Sequence, residues 1–250
     1  MGTGGGLIAD EGVILRVRDW QTADKYAVCF TKEHGKLRFV AYGARYGKST
    51  KGRLLQPFAR LRLEVTAGQK LDRLAACELA ELPCAYDMKQ MAYGAVIAEL
   101  TAVLTEDHAP QPELYELLVL ALAALRQRNP RLLTLAYALQ LLRLAGVAPQ
   151  LCACTACGRM LDAAEDCFFD AAAGGAVCRE CGGAGRDTDA LGAGTRRLMQ
   201  TLDALDLAKP KPFSVRGGEL MELERVLYKF ILCQTEKPLN SLSFLSQLGL

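Results

Sequence analysis

The hydrophobic period of this chain changes near residue 87, and that change limits its fold more than any other feature. Through residues 11–85 apolar side chains recur at every second position, the spacing of half-buried strands. After residue 87 they recur at 3.6, the spacing of helices. GVILRVRD (12–19) sets Val13, Leu15 and Val17 on one face. KYAVCFT (25–31) and KLRFVAYG (36–43) are joined by KEHG, a short loop with glycine at the left-handed position, which reads as a hairpin. PFARLRLEV (57–65) alternates Phe58, Leu61, Leu63 and Val65 with Arg60, Arg62 and Glu64, and LDRLAACELAEL (71–82) closes the block. Five short strands suffice for a small closed or partly open barrel. Tyr26 and Phe39 are expected in its core, and GARYGKSTKGRLLQ (43–56) as an exposed basic loop.

Helices are expected over 88–105, 113–128, 130–145, 189–205 and 218–235. HAPQP (108–112), Asn129-Pro130, Gly146 and KPKPF (209–213) punctuate them. Asp189 or Thr195 would cap the fourth. The fold class is therefore α+β and multidomain: a barrel over 1–85, helices over 86–150, a cysteine module over 151–186 and further helices over 187–250. No apolar run approaches the eighteen or so residues of a membrane span, and the first residues match neither a secretory signal nor a myristoylation site.

Two Cys-x-x-Cys pairs, Cys154/Cys157 and Cys178/Cys181, are separated by twenty residues. Each pair presents two sulfurs from one tight turn, and four thiolates form a closed tetrahedral site for Zn²⁺. Gly158 and Gly182-Gly183 follow the two turns and permit their geometry. CACTAC offers a third thiol, Cys152, but Cys-x-Cys makes the poorer knuckle, so Cys154 is the expected ligand. A closed site leaves no position for water or substrate, which makes the metal structural and argues against metal catalysis. Cys167 reads as a packed thiol on a short strand, and Cys29, Cys77, Cys84 and Cys233 as core fillers.

Net charge is only +2, but from Lys36 to Arg62 there are eight basic residues and no acid. Residues 1–85 carry a net +5 and the remainder −3, the footprint of a polyanion-binding segment. Lys48, Lys51 and Arg53, with Arg38 and Arg45 beside them, are candidates to hold phosphates. Tyr42 and Tyr46 are the candidates for stacking on bases. GARYGKST falls one residue short of a phosphate loop, since Gly43 and Gly47 enclose three residues rather than four. Neither His34 nor His108 has a nucleophile or acid at useful spacing, and there is no carboxylate constellation or dinucleotide fingerprint, so the chain is expected not to be an enzyme. The competing reading is a zinc-ribbon interaction module whose basic loop docks an acidic protein instead of DNA.

Three runs in this order resemble the RecO family of bacterial recombination mediators. TKEHGK (31–36) is followed by FVAYGARYGKS, LQPF stands at 55–58, and GVAPQL (146–151) leads into Cys154-x-x-Cys157-Gly158. The resemblance implies an OB-fold over 1–85, a helical domain and a zinc module. It implies binding of single- and double-stranded DNA, annealing of complementary strands, and loading of RecA onto strands coated by single-strand DNA-binding protein. It further implies RecR, RecF and the acidic tail of that binding protein as partners, and a cytoplasmic, nucleoid-associated location. Arg126, Arg128, Arg131 and Arg143 are candidates to meet the acidic tail.

Overall fold

The computed structural model describes residues 6–68, 71–81, 85–183, 187–209, 214–235 and 238–247. Its elements fall into two compact units, residues 1–130 with 241–250, and residues 131–240.

The first unit begins with β1 (Leu7–Trp20), β2 (Asp24–Thr31) and β3 (Gly35–Ala41), then a short helix α1 (Thr50–Leu54), then β4 (Arg60–Thr66) and β5 (Asp72–Leu79). The strands close into a barrel in the order β1-β2-β3-β5-β4, with β1 also paired to β4. β3 and β5 are parallel over a short seam, and the other pairs are antiparallel. This order fits the OB-fold. Ile14, Cys29, Leu37, Phe39, Leu61, Leu63, Val65 and Leu74 fill the barrel.

Two details differ from the sequence reading. The alternation in β1 does not run straight through. A bulge between Ile14 and Arg16 resets the register, so Ile14 and Val17 join the barrel interior while their neighbours Val13 and Leu15 stay outside it. A bulge inserts one residue into one strand and so exchanges the faces beyond it. The stretch 43–56 is also not simply a loop. Ser49 caps α1 by accepting the Gly52 N–H (3.2 Å), and Leu55 is buried against the barrel core. Phe58 adopts a left-handed φ of +67° and sets its ring against Gly94 and, edge-on, against Tyr86.

α2 (Met88–Leu104), α3 (Pro112–Ala124) and α7 (Asn240–Gln247) complete this unit. α2 carries a full capping box, Asp87 with Gln90, and packs on β1 and β2. Lys36 supplies its other end. The buried Lys36 ammonium donates to the Ala102 (2.6 Å) and Thr105 carbonyls and lies 3.4 Å from Asp107. A cation on the last carbonyls of a helix satisfies orphan acceptors and opposes the helix dipole. Ser241 of α7 donates twice to Glu99.

The second unit holds α4 (Pro130–Leu144), a three-stranded sheet of β6 (Cys167–Asp170), β7 (Gly175–Val177) and β8 (Asp189–Leu191), then α5 (Ala193–Asp203) and α6 (Gly217–Thr235). Asp189 lies in strand β8 rather than capping a helix, and the N-cap of α5 is Gly192. Thr195 is inside the helix and donates to Glu222 (2.7 Å). Cys84 and most of KPKPF lie outside the described residues. Among the described residues no helix is long and apolar enough to cross a membrane.

Asp10 ties the β2–β3 hairpin to β1. Its buried carboxylate accepts the Glu33 N–H (2.9 Å), the His34 N–H (3.0 Å) and the His34 ring at Nδ1 (2.8 Å). Burial pushes the Asp10 carboxyl up, but the His34, Glu33, Thr31 and Glu11 hydrogen bonds outweigh it and hold the group below its ordinary value. A carboxylate with a depressed folded pKa stabilises the fold above its unfolded value, about 3.9, and loses that contribution as pH falls through the folded value. Asp10→Asn should therefore cost about 1–3 kcal/mol at neutral pH. The gap between wild type and variant should narrow as pH falls from the unfolded value of about 3.9 through the depressed folded one, read as urea midpoints across a pH series.

Candidate nucleic-acid interface and four-cysteine centre

The basic end of the barrel is built by hydrogen bonds between two connections. Asp24, buried at the start of β2, accepts the Gly43 N–H (2.8 Å). The Arg45 N–H donates to the Ala23 carbonyl (2.9 Å), and its guanidinium donates to the Gln21 (3.1 Å) and Thr22 (3.0 Å) carbonyls and pairs with Asp19 (3.2 Å). Arg45 thus pins the β1–β2 turn to the β3–α1 loop. Lys25 donates to the Gly52 carbonyl (2.8 Å) and Lys51 to the Leu74 carbonyl (3.1 Å), fixing α1 to β2 and β5.

These bonds sort the eight basic residues of the run. Lys36 is buried under α2, Arg38 pairs with Asp107 (3.0 Å), Arg60 with Glu11 and Glu81, and Arg62 with Glu78. Arg45 and Lys51 are engaged as described. The side chains of Lys48 and Arg53 remain exposed, with neither an ion pair nor a hydrogen bond among the described residues. The fold therefore brings Tyr42, Arg45, Tyr46, Lys48, Lys51 and Arg53 to one end of the barrel and leaves Arg38 on β3 beside the α2–α3 connection. Tyr42 is 55% and Tyr46 68% exposed, and the Arg73 guanidinium lies over the Tyr42 ring at 5.5 Å.

The same end also holds Arg18, Trp20 and Tyr26. Tyr26 is not a core residue. It faces out of the barrel, opposite Arg18 in the β1–β2 register, with the Trp20 ring 5.7 Å away. The Arg18 guanidinium sits 5.0 Å from the Trp20 ring and 4.7 Å from the Tyr26 ring. The alternation Arg16, Arg18, Trp20 was a usable signal, but its facing depends on the bulge. Of the candidates for an acidic tail, Arg126 and Arg128 are exposed just past α3 in the first unit. In the second unit Arg131 pairs with Glu224 (2.5 Å) and Arg143 with Asp203 (3.0 Å).

The sulfurs of Cys154, Cys157, Cys178 and Cys181 lie within 4.8 Å of one another, with Cys157 and Cys178 3.9 Å apart. A tetrahedron with metal–sulfur bonds of about 2.3 Å has edges of about 3.8 Å, so the donor set fits a zinc-sized ion. The knuckles form as their spacing requires. The Gly158 N–H bonds to the Cys154 carbonyl (2.9 Å), and the Cys181 (3.1 Å) and Gly182 (2.9 Å) N–H groups bond to the Cys178 carbonyl. Burial pushes the Cys154 thiol up, but N–H groups of Cys178, Cys157 and Ala156 outweigh it and bring it down to about 6. Hydrogen bonds with Cys178 and Cys157 hold the Cys181 thiol up at about 12. Four thiolates this close repel one another, and a divalent cation is the charge that would let all four ionise. Cys152 is exposed and outside the cluster, its sulfur 3.6 Å from the Gln200 amide. Cys167 is a packed thiol, as its strand pattern implies, whereas Cys233 is exposed rather than core.

Arg196 of α5 holds the module in place. It is 3% exposed and donates to the Leu151 (3.4 Å), Asp162 and Glu165 (3.1 Å) carbonyls. Asp166 accepts the Ala193 N–H at the start of the same helix (3.0 Å), and Phe169 of β6 packs edge-on against Phe230 of α6 at 5.8 Å.

A closed five-stranded barrel with a basic, aromatic end is followed in the chain by helices and a four-cysteine module. The chain belongs to the RecO family. The family signature "Recombination protein O N terminal" matches residues 6–83 and "Recombination protein O C terminal" matches residues 85–243. A protein of Symbiobacterium thermophilum named DNA repair protein RecO is 32% identical over 243 residues, which cover 95% of this chain and 96% of its own length. A relative of the same name in Moorella thermoacetica is 30% identical over 98% of this chain and 92% of its own. One in Myxococcus xanthus is 34% identical over 96% and 98%.

Arg196→Met keeps the length of the side chain and removes its donors, so the Leu151 and Glu165 carbonyls lose the buried cation and the Asp162 carbonyl keeps only the Glu165 N–H. Loss of a charged hydrogen-bond donor at a buried site costs about 2–4 kcal/mol. The variant should unfold at lower temperature, with amide exchange accelerating first over residues 151–166, as hydrogen-exchange mass spectrometry would show.

Proposed function

We propose that this chain is a non-enzymatic mediator of recombinational DNA repair. It binds single- and double-stranded DNA at the basic end of its barrel, anneals complementary strands, and helps RecA onto strands coated by single-strand DNA-binding protein. Membership of the RecO family supports the repair role. The observation that carries the DNA reading is the sorting of the basic run. Six of its eight cations have partners within the fold, while Lys48 and Arg53 stay exposed beside Tyr42 and Tyr46. Cations left solvated in this way are free to displace counterions from phosphates, and an OB-type barrel accepts strands without a sequence code. Annealing follows if two strands are neutralised while their bases stay accessible.

In this reading RecR, RecF and RecA are protein partners, and the protein works in the cytoplasm at the nucleoid. The acidic tail of single-strand DNA-binding protein meets Arg126 and Arg128, since Arg131 and Arg143 already face Glu224 and Asp203. The four-cysteine module holds Zn²⁺ as a structural clasp. The ion supplies a closed four-thiolate cross-link, and Cys154, Cys157, Cys178 and Cys181 hold it.

Two measurements test this reading. Anisotropy of labelled oligo-dT across a salt series should show steep salt dependence. For Lys48→Gln/Arg53→Gln the slope of log affinity against log salt should fall by about 1.4, two single-strand contacts at about 0.7 each. An unchanged slope would remove these residues from the interface, and no binding at low salt would leave the basic end as a docking surface for an acidic protein. For the metal, purified protein should contain equimolar zinc. Cys154→Ser/Cys178→Ser should lose it and melt at lower temperature, with DNA affinity per folded molecule retained. A zinc-free wild type of normal stability would refute the clasp.

A further inference from the structure

We propose that Arg18, Trp20 and Tyr26 form a base-stacking platform that gives single strands an advantage over duplex at the basic end of the barrel. The proposal rests on the reading of that end as a DNA interface. The three residues lie on the outer face of the β1–β2 ladder, where Arg18 is directly opposite Tyr26 and Trp20 opposite Asp24. Both rings are partly exposed and Arg18 is exposed. Two aromatic rings 5.7 Å apart and tilted by 34°, with a flat cation over both, are an unusual surface for the outer face of a strand pair.

The surroundings favour an anionic polymer. Arg16, two residues back on the same face, is exposed and opposite Val28, which is in turn opposite Arg38, so cations flank the rings along the ladder. The nearby acids are engaged: Asp19 pairs with Arg45, and Asp24 is buried as the acceptor of the Gly43 N–H. Arg45 fixes the β1–β2 turn, and with it Trp20, beside the loop carrying Tyr46 and Lys48. The platform and the free cations therefore share one end of the barrel.

The energetics set a direction. In the free protein Arg18 covers the rings, a cation–π contact worth about 2- to 5-fold at an exposed site. A base stacked on an aromatic side chain contributes about 5- to 150-fold. A base therefore displaces the guanidinium from the rings, and the freed Arg18 turns to the adjoining phosphate. A duplex cannot make the exchange because its base faces are already stacked on one another. It keeps only the phosphate contacts.

Trp20 is the single tryptophan of the chain, so its emission reports on this site alone. The full-length protein is titrated with oligo-dT and, separately, with duplex of equal length, following tryptophan emission and the anisotropy of a labelled strand together. Expected are quenching of Trp20 and its protection from acrylamide with oligo-dT over the range in which anisotropy rises, and neither with duplex at equal saturation. Tyr26→Ala should weaken oligo-dT binding by about tenfold and duplex binding by less than twofold, and Tyr26→Phe should restore both. If the alanine variant fails to fold, the acrylamide protection of the wild type decides. Rising anisotropy with unchanged emission and no protection overturns the platform and leaves the DNA reading standing, as does equal quenching by duplex. No anisotropy change with any DNA removes the DNA reading and the platform with it.

Discussion

β1 has to serve two sheets at once, and the barrel exists because it can. This 14-residue strand pairs with β4 over its first half and with β2 over its second, and the two ladders overlap at Gly12 and Val13. At the overlap the chain passes so close to β2 that a Cβ on Gly12 would meet the Cys29 sulfur at 2.4 Å and the Thr31 methyl at 2.8 Å. Glycine is therefore required there by space. The bulge that follows adds the local twist a strand needs to turn from one sheet into the next. Closure removes the exposed edges that an open five-stranded sheet would present. It also sends the far half of β1 out to the basic end, carrying Arg16, Arg18 and Trp20 with it.

The seam between β3 and β5 is the weak point of this closure. Their parallel pairing covers only Phe39 with Asp72 and Val40 with Arg73, so the first half of β3 needs another neighbour. The connection after α2 supplies it. Asp107 bridges to Lys36, the His108 N–H donates to the Lys36 carbonyl (3.0 Å), and Gly35, at φ +69°, lies against the Ala109 backbone. Lys36 then spends its ammonium on the end of α2. A residue that reads in sequence as one more surface cation thus completes both the barrel edge and a helix terminus, and its burial pushes its pKa down.

What could be read from the sequence was what depends on near neighbours. The change of period near residue 87, the five strands, the KEHG hairpin and the two cysteine knuckles are all local patterns, and each stands where its spacing put it. The zinc-sized cluster was legible for the same reason: two turns each fix two sulfurs, and Cys-x-x-Cys makes the better turn, which separates Cys154 from Cys152. What could not be read was set by register. One bulged residue exchanges the faces of β1, and no periodicity argument over GVILRVRD locates it. The acids that neutralise Arg60 and Arg62 come from β1, β5 and the residues just past β5, so an acid-free run in sequence is not an acid-free surface. Arg196, the anchor of the cysteine module, sits in a polar stretch of α5, and its carbonyl partners are 31 to 45 residues away.

That distinction bears on how the basic end works. A charge run read as a whole would give a wide electropositive patch that binds any polyanion. The folded arrangement is narrower. Six of its eight cations have partners within the fold, and two of them, Arg45 and Lys51, hold the β1–β2 turn, the β3–α1 loop and α1 in place, which costs binding charge but orders the end. The two free cations and the exposed rings then stand on a frame already ordered before any ligand arrives. Side chains held by their neighbours lose little freedom on binding, so fewer contacts suffice for a given affinity. In the proposed role, a strand held by a few phosphate contacts on such a frame would also be readily released, which handing a strand on requires as much as binding it.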